Sequence, residues 1–85
     1  MNDPFINILP SIDVHGQTRD EAMFYVEDFI NDNIKLGNKK IVIIHGIGTG
    51  VLKKEINTHF KRDKRINKMY GYGSNLGITI IELNV

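Results

Sequence analysis

The sequence predicts a small α/β domain with the element order βαβαββ. A continuous β-branched run from Ile41 to Ile44 is typical of a buried central strand. Segments with helical spacing of apolar residues lie on both sides of this run, and shorter segments near each end of the chain have the pattern of strands. Because a helix connects the first two strands, we expect those two strands to be parallel.

Composition narrows the class of protein. A chain of 85 residues has the length of one domain. Its content of 41% hydrophobic and 25% charged residues is near the average of globular proteins, which excludes a disordered segment. The absence of cysteine excludes disulfides, cysteine-based zinc sites and thiol nucleophiles, and it agrees with a reducing cytoplasm. The N-terminal residues show neither a signal peptide nor a membrane span, so we expect a cytoplasmic protein without membrane contact.

Charge is segregated along the chain. Residues 1–34 contain seven acidic residues and a single basic one, whereas residues 35–72 contain ten Lys or Arg and two acids. Such a basic middle indicates a phosphate-binding surface. The alternative is that these basic side chains only balance an acidic helix.

The domain is expected to span residues 11–85, after an extended arm of residues 1–10 whose two prolines disfavour a helix. Ser11 to His15 predicts a strand with Ile12 and Val14 on one face.

Two helices follow from capping and periodicity. Thr18 and Glu21 have the spacing of a capping box, and the helix that they open is expected to end at Gly37. The second helix shows apolar residues four positions apart, with lysines on its other side, and these apolar residues are Leu52, Ile56 and Phe60.

The C-terminal part predicts two strands, Arg65 to Tyr72 and Ile78 to Leu83, joined by a glycine-rich turn. We expect one core between sheet and helices, made of Ile12, Val14, Val26, Phe29, Ile30, Val42, Ile44, Leu52, Ile56 and Phe60.

Polar side chains occur where the first two strands end. Asp13 and His15 share one face of the first strand, and His45 follows the second strand. The carboxyl ends of neighbouring parallel strands lie side by side, and ligands favour that edge. We therefore expect His15 and His45 to lie close together, open to solvent. A packing role for His45 and an ordinary surface role for His15 are the alternatives.

A glycine-rich loop joins the second strand to the second helix. Gly46, Gly48 and Gly50 follow a GxGxG pattern, and the N–H groups of such a loop at a helix N-terminus can hold phosphate. A tight turn that requires positive φ explains the glycines equally well. The candidate nucleic-acid-binding residues are Gly46, Gly48, Thr49, Gly50, Lys53 and Lys54.

The candidate catalytic residues are Asp13, His15 and His45. Two histidines can act as base and acid near neutral pH, and a carboxylate can orient one of them. Only one carboxylate is placed at this edge, whereas a two-metal site needs several. The sequence therefore favours a mechanism without metal. Such a mechanism suits RNA, because its 2′-OH is an internal nucleophile. The sequence requires no cofactor but leaves room for a divalent metal ion.

Taken together, these motifs resemble the Smr (small MutS-related) domain family over about residues 11–83. Residues 12–16 are similar to its L-D-L-H-G signature, residues 21–22 to its E-A pair, residues 45–52 to its H-G-basic-G-x-G-x-L motif and residues 77–83 to its G-V-T-x-x-x-L strand. The last of these is especially similar to the C-terminal domain of bacterial MutS paralogues that suppress recombination. The resemblance therefore allows either a free-standing copy of the domain or a piece of such a paralogue. Ile47 stands where the family usually has Lys or Arg, which predicts the loss of one phosphate contact.

The resemblance implies a fold like the C-terminal domain of translation initiation factor three, with a four-stranded mixed sheet and both helices on one side. It implies nicking of branched DNA or cleavage of RNA, including messenger RNA on stalled ribosomes. We expect the isolated domain to be a monomer. It also implies that Asp13, His15, His45 and the loop glycines are the functional residues. Two alternatives are a DNA-, RNA- or ribosome-binding module without catalysis and a protein-interaction module.

Overall fold

The computed structural model describes residues 8–85 and contains the six elements in the predicted order. They are β1 (Ser11–Asp13), α1 (Arg19–Lys35), β2 (Lys40–Ile44), α2 (Val51–Phe60), β3 (Ile66–Tyr72) and β4 (Asn75–Leu83). The sheet order is β1-β2-β4-β3, with β1 parallel to β2 and the other two pairs antiparallel. The predicted mixed α/β class is confirmed.

Capping explains where α1 begins and ends. The Thr18 side chain accepts from the Glu21 N–H, and the Glu21 side chain accepts from the Thr18 N–H, which forms the predicted capping box. Helix α1 ends at Lys35, and Gly37 follows with a φ of +75°, a conformation that favours glycine after a helix.

Both helices pack on the same face of the sheet, as the resemblance implies. The core between them contains Val14 and most of the buried apolar residues of α1, α2, β2 and β4, namely Ala22, Met23, Val26, Ile30, Ile41, Ile43, Ile56, Phe60, Ile81 and Leu83. Ile12, Phe29 and Leu52 pack against it, so seven of the predicted core positions other than Val14 contribute as expected.

The assignment of Val42 and Ile44 to this core is wrong. Side chains alternate along β2, and Ile41 and Ile43 are the pair that faces the helices. Val42 belongs to a second cluster with Ile78 and Ile80 on the other face of the sheet, where Ile44 packs against it.

The largest differences between predicted and observed strand boundaries occur in β1 and β4. β1 ends at Asp13 because the Asp13 side chain bonds the backbone of residue 15 and turns the chain there, although the Val14 N–H still donates to the Ile44 carbonyl (2.8 Å). β4 begins at Asn75, earlier than predicted, because a two-residue turn at Gly73 joins it to β3.

The predicted arm of residues 1–10 lies mostly outside the described residues. Within them, the Pro10 carbonyl accepts from the Val42 N–H (2.9 Å), and Leu9 packs against the second apolar cluster. None of the helices in residues 8–85 has the length and apolar character needed to cross a membrane.

Candidate functional site

Asp13 and His15 form a hydrogen-bonded pair at the end of β1. Asp13 Oδ1 lies 2.6 Å from His15 Nδ1 and also accepts from the His15 N–H at 3.0 Å. The side-chain bond to His15 is the main cause that lowers the pKa of Asp13, so the carboxylate is ionised and His15 Nδ1 carries the hydrogen. Both side chains are exposed, at 48% and 68%. In a neutral ring this leaves Nε2 as the nitrogen that can accept a proton.

His45 lies on the other face of the sheet, and the prediction that it is open to solvent is wrong. It follows Ile43 by two positions, so its side chain points to the helix-covered face, where it is 3% exposed. Nδ1 is 3.0 Å from the Gly46 carbonyl, which can only accept, and Nε2 is 2.9 Å from Thr79 Oγ1. His45 Nδ1 therefore donates, and Nε2 accepts from the Thr79 hydroxyl.

The pKa of His45 is consistent with a neutral ring. Burial is the largest cause and lowers the pKa, the bond to the Gly46 carbonyl raises it, and the charge of Lys53 lowers it again. With both nitrogens bonded inside the protein, His45 is placed to hold the loop rather than to exchange protons with a substrate.

The loop after β2 is held against β1 and β4. The Gly77 carbonyl accepts from the N–H groups of both His45 and Gly46, at 2.9 and 3.1 Å. Gly46 has a φ of +80°, and a Cβ there would lie 3.0 Å from the Cβ of His15. A glycine is thus required both by the backbone conformation and by the close approach to His15.

The same loop presents N–H groups in a concave arrangement. Gly46, Gly48 and Gly50 have positive φ, whereas the residues between them do not, and such alternation forms an anion-binding concavity. The N–H groups of Gly46 and Gly50 bond to carbonyls, but within residues 8–85 those of Gly48 and Thr49 have no hydrogen-bond partner.

Helix α2 begins at this concavity without a side-chain cap. Its N-cap is Gly50, and its first turn contains no acid, so the positive end of the helix dipole is not compensated locally. Helix α1, in contrast, has its capping box and two acids in its first turn. The electrostatic character of the loop therefore favours an anion.

A cavity of about 410 Å³, here called the loop cavity, connects these groups. It is lined by His15, His45 and residues 46–52, together with Gly16, Gln17 and Arg19. The structure thus brings together His15 and the predicted loop residues Gly46, Gly48, Thr49 and Gly50. Asp13 does not line the loop cavity but is hydrogen-bonded to His15, which does.

The two predicted lysines lie elsewhere. Lys53 lines a neighbouring cleft, and Lys54 lines neither of these two concave surfaces. Among residues 8–85, no group of three His, Asp or Glu side chains is arranged to hold a metal ion.

Three residues of the site have no role in the sequence-based prediction. Gly77 and Thr79 hold the loop and His45, and Arg19 lines the loop cavity while its guanidinium bonds Glu55 at 2.6 Å. The G-x-T spacing in the last strand was the available signal for Gly77 and Thr79. No sequence signal distinguishes Arg19 from any other residue in a first helical turn.

Comparisons with known proteins identify the family of this chain. The profile of the Smr domain family matches residues 12–84. Endonuclease MutS2 of Caldanaerobacter subterraneus subsp. tengcongensis is 39% identical over 99% of this chain, and Endonuclease MutS2 of Finegoldia magna is 40% identical over 91% of it. The matches cover 11% and 10% of those proteins, so the chain spans about a tenth of the length of these relatives.

Solved structures show the same fold. The Smr domain of Thermus thermophilus MutS2 superimposes with a TM-score of 0.88 at 28% identity, covering 91% of this chain and all of that one. YdaL, a stand-alone small MutS-related protein from Escherichia coli, superimposes with a TM-score of 0.80 at 17% identity, covering 88% of this chain and 64% of that one. At 17% identity, the likeness to YdaL shows only that the fold is shared.

Proposed function

Because this chain belongs to the Smr domain family, we propose that it binds nucleic acid at the loop cavity and cleaves the phosphodiester backbone with Asp13 and His15. The observation that carries the proposal is the 2.6 Å bond between these two side chains at the edge of a cavity with an anion-binding loop. The relatives named as endonucleases support the same activity. The unit that performs it is the domain of residues 11–85.

Phosphate binding rests on the loop. A phosphate seated in the loop cavity accepts from the N–H groups of Gly48 and Thr49, and the uncapped end of α2 adds favourable charge. Donors that are fixed before the substrate arrives also stabilise the negative charge that develops on the phosphoryl oxygens during cleavage.

Proton transfer rests on His15. The bond from Nδ1 to Asp13 fixes the tautomer, so that Nε2 can take a proton from the attacking hydroxyl. In RNA that hydroxyl is the neighbouring 2′-OH, whose oxygen bonds to phosphorus while the bond to the 5′ oxygen breaks. The 5′ oxygen then takes a proton from water or from protonated His15.

We assign His45 a positioning role in this scheme, which differs from the acid–base role that the sequence predicts. Its ring joins Gly46 on the loop to Thr79 on β4, and so keeps the loop in the conformation that faces His15. The reaction then depends on one histidine, which favours RNA, because DNA has no internal nucleophile. Nicking of branched DNA by this route requires a water molecule as nucleophile.

The setting that we propose is the cytoplasm, with structured RNA, branched DNA or messenger RNA on a stalled ribosome as the substrate. The cysteine-free sequence suits that reducing compartment.

A second candidate function is binding without cleavage. The burial of His45 favours it, because one of the two expected proton-transfer groups is not accessible to a substrate. In that case Asp13 and His15 only contact the backbone, and the loop cavity supplies the affinity.

The deciding experiment incubates the purified chain with labelled structured RNA and labelled branched DNA, each with and without EDTA. We expect RNA cleavage that persists in EDTA and depends on His15. Binding of both substrates without any product would instead establish the second candidate.

A further inference from the structure

A second concave surface lies between α2 and the edge strand β3. This α2–β3 cleft has a volume of about 400 Å³. Helix α2 contributes Lys53 and Asn57 to it, Lys61 follows at the end of the helix, and β3 contributes Met69 and Tyr70. The floor is the buried Thr79 of β4. The cleft therefore combines cationic, hydrogen-bonding and apolar groups.

All the charged side chains that line the cleft are positive. Its lining contains two lysines and no acidic residue. Within the described part of the chain, neither Lys53 nor Lys61 takes part in a salt bridge, in contrast to Arg19 and Arg65. Two cations without carboxylate partners fit an anionic ligand better than an internal structural role.

The cleft continues the loop cavity along α2. Val51 and Leu52 line the loop cavity, and Lys53 is the next residue and lines the cleft. The two surfaces also share a wall, because Thr79 in the floor of the cleft bonds His45, which lines the loop cavity. The two concave surfaces are therefore neighbours along α2.

The spacing of the lysines matches a chain of phosphates. Lys53 and Lys61 are eight residues apart, which corresponds to about 12 Å along a helix. Phosphates of one stacked strand recur every ~3.4 Å along its axis, so this distance covers about three nucleotides. Met69 provides an apolar contact for a base, whereas the Tyr70 side chain bonds Glu82 on the other face of the sheet.

We infer that the α2–β3 cleft is a second binding site, which takes a single nucleic-acid strand that extends from the phosphate in the loop cavity. This inference rests on the proposed function and names the form of its substrate as single-stranded. A single strand fits this lining better than a duplex, because only an unpaired base can lay its face on the side chains of a binding surface.

The test compares Lys61→Ala with Lys64→Ala in the full chain, using fluorescently labelled trinucleotides and oligomers of about nine nucleotides, in DNA and RNA form. Both lysines are exposed and both changes remove one charge, but Lys64 does not line the cleft. We expect wild type to bind the longer oligomers more tightly. Lys61→Ala should weaken that binding several-fold and lower its salt slope by about 0.7, the value for one phosphate of a single strand. Trinucleotide binding should not change.

The controls separate this inference from the proposed function. Suppose that wild type binds oligomers of both lengths, and that Lys61→Ala and Lys64→Ala have equal effects. The cleft would then not be a binding site, and the loop cavity would remain the proposed one. If Lys61→Ala weakens the binding of poly-glutamate but not of the oligomers, the cleft binds an acidic peptide. That result would also overturn the inference. Failure of wild type to bind any oligomer would overturn the inference, whereas the proposed function is decided separately with structured RNA and branched DNA.

Discussion

The Thr79 hydroxyl lies 2.9 Å from His45 Nε2, and this bond joins the last strand to the loop that begins at the end of β2. Both side chains are buried, at 2% and 3% exposure. The other ring nitrogen of His45 donates to the Gly46 carbonyl, so the buried imidazole has a partner on each side. The loop conformation thus depends on a hydrogen bond between residues 34 positions apart.

Replacing Thr79 with Val removes that hydroxyl with little change of shape. His45 Nε2 then remains buried without a donor, and we expect the free energy of unfolding to fall by about 1–3 kcal/mol. Urea denaturation measures the change. Thr58→Val, at an exposed position of α2, is the control and should alter stability by less than about 0.5 kcal/mol. Equal effects of the two changes would contradict the role of the Thr79 bond.

Acidification should destabilise the domain through His45. Its pKa is lower in the folded protein than its ordinary value of 6.5, so the unfolded chain binds more protons as the pH falls below about 6.5. The stabilisation by the neutral ring is complete above that value and is lost as the pH falls through the folded pKa. Urea denaturation at about pH 7 and pH 5 should therefore show a larger loss for wild type than for His45→Gln. An identical loss in both would show that His45 does not titrate in this way.

Much of the fold is predictable because its signals are local. The capping box of Thr18 and Glu21, the glycine after α1 and the spacing of Leu52, Ile56 and Phe60 each act within a few residues. The convergence of β1 and β2 follows from the crossover helix alone. Asp13 and His15 share the open face of the sheet as predicted, because Asp13 pairs with Ile44 of that face.

The orientation of His45 could not be predicted in the same way. Residues 41–44 are apolar at every position, since β2 is covered on both faces, so the pattern does not show which alternate side chains meet the helices. The misassigned Val42 and the misplaced His45 have this one cause. The partner Thr79 lies in a strand far along the chain, and no local pattern connects it to His45.

Restoring a basic residue at position 47 should strengthen binding. Ile47 is 64% exposed and lines the loop cavity, so Ile47→Lys adds a cation next to the proposed phosphate. We expect tighter binding of nucleic acid and a salt slope steeper by about one unit. Leu36→Lys makes the same charge change at an exposed position after α1 and should have a much smaller effect. Equal effects would show that net charge, and not the loop cavity, controls affinity.

The close approach of Gly46 to His15 can be tested with matched glycines. Gly46 and Gly37 have φ values of +80° and +75°, but only at Gly46 does an added Cβ meet another residue, the Cβ of His15 at 3.0 Å. Gly46→Ala should therefore cost more stability than Gly37→Ala, which we expect to cost about 1–3 kcal/mol from backbone strain alone. It should also shift the His15 ring resonances in an NMR spectrum. Equal costs, with unchanged His15 resonances, would contradict this packing.

Asp13→Asn tests the support that the carboxylate gives to His15. The amide keeps the shape of the side chain but removes the negative charge, which the bond to His15 stabilises in the wild type by lowering the pKa of Asp13. We expect the rate of cleavage to fall, but less than on loss of the imidazole itself, because only orientation and charge support are lost. Single-turnover cleavage with saturating protein measures this. A wild-type rate would show that Asp13 only ends β1.

The most direct test of the account is the rate of phosphodiester cleavage by His15→Ala under single-turnover conditions. His15 is the proton-transfer group of the proposed site, so the rate should fall about 10²- to 10⁴-fold while binding changes only a few-fold. His59→Ala, at a helix position that lines neither concave surface, should cleave as wild type does. Cleavage by His15→Ala at the wild-type rate would contradict the assignment of the chemistry to the Asp13–His15 pair.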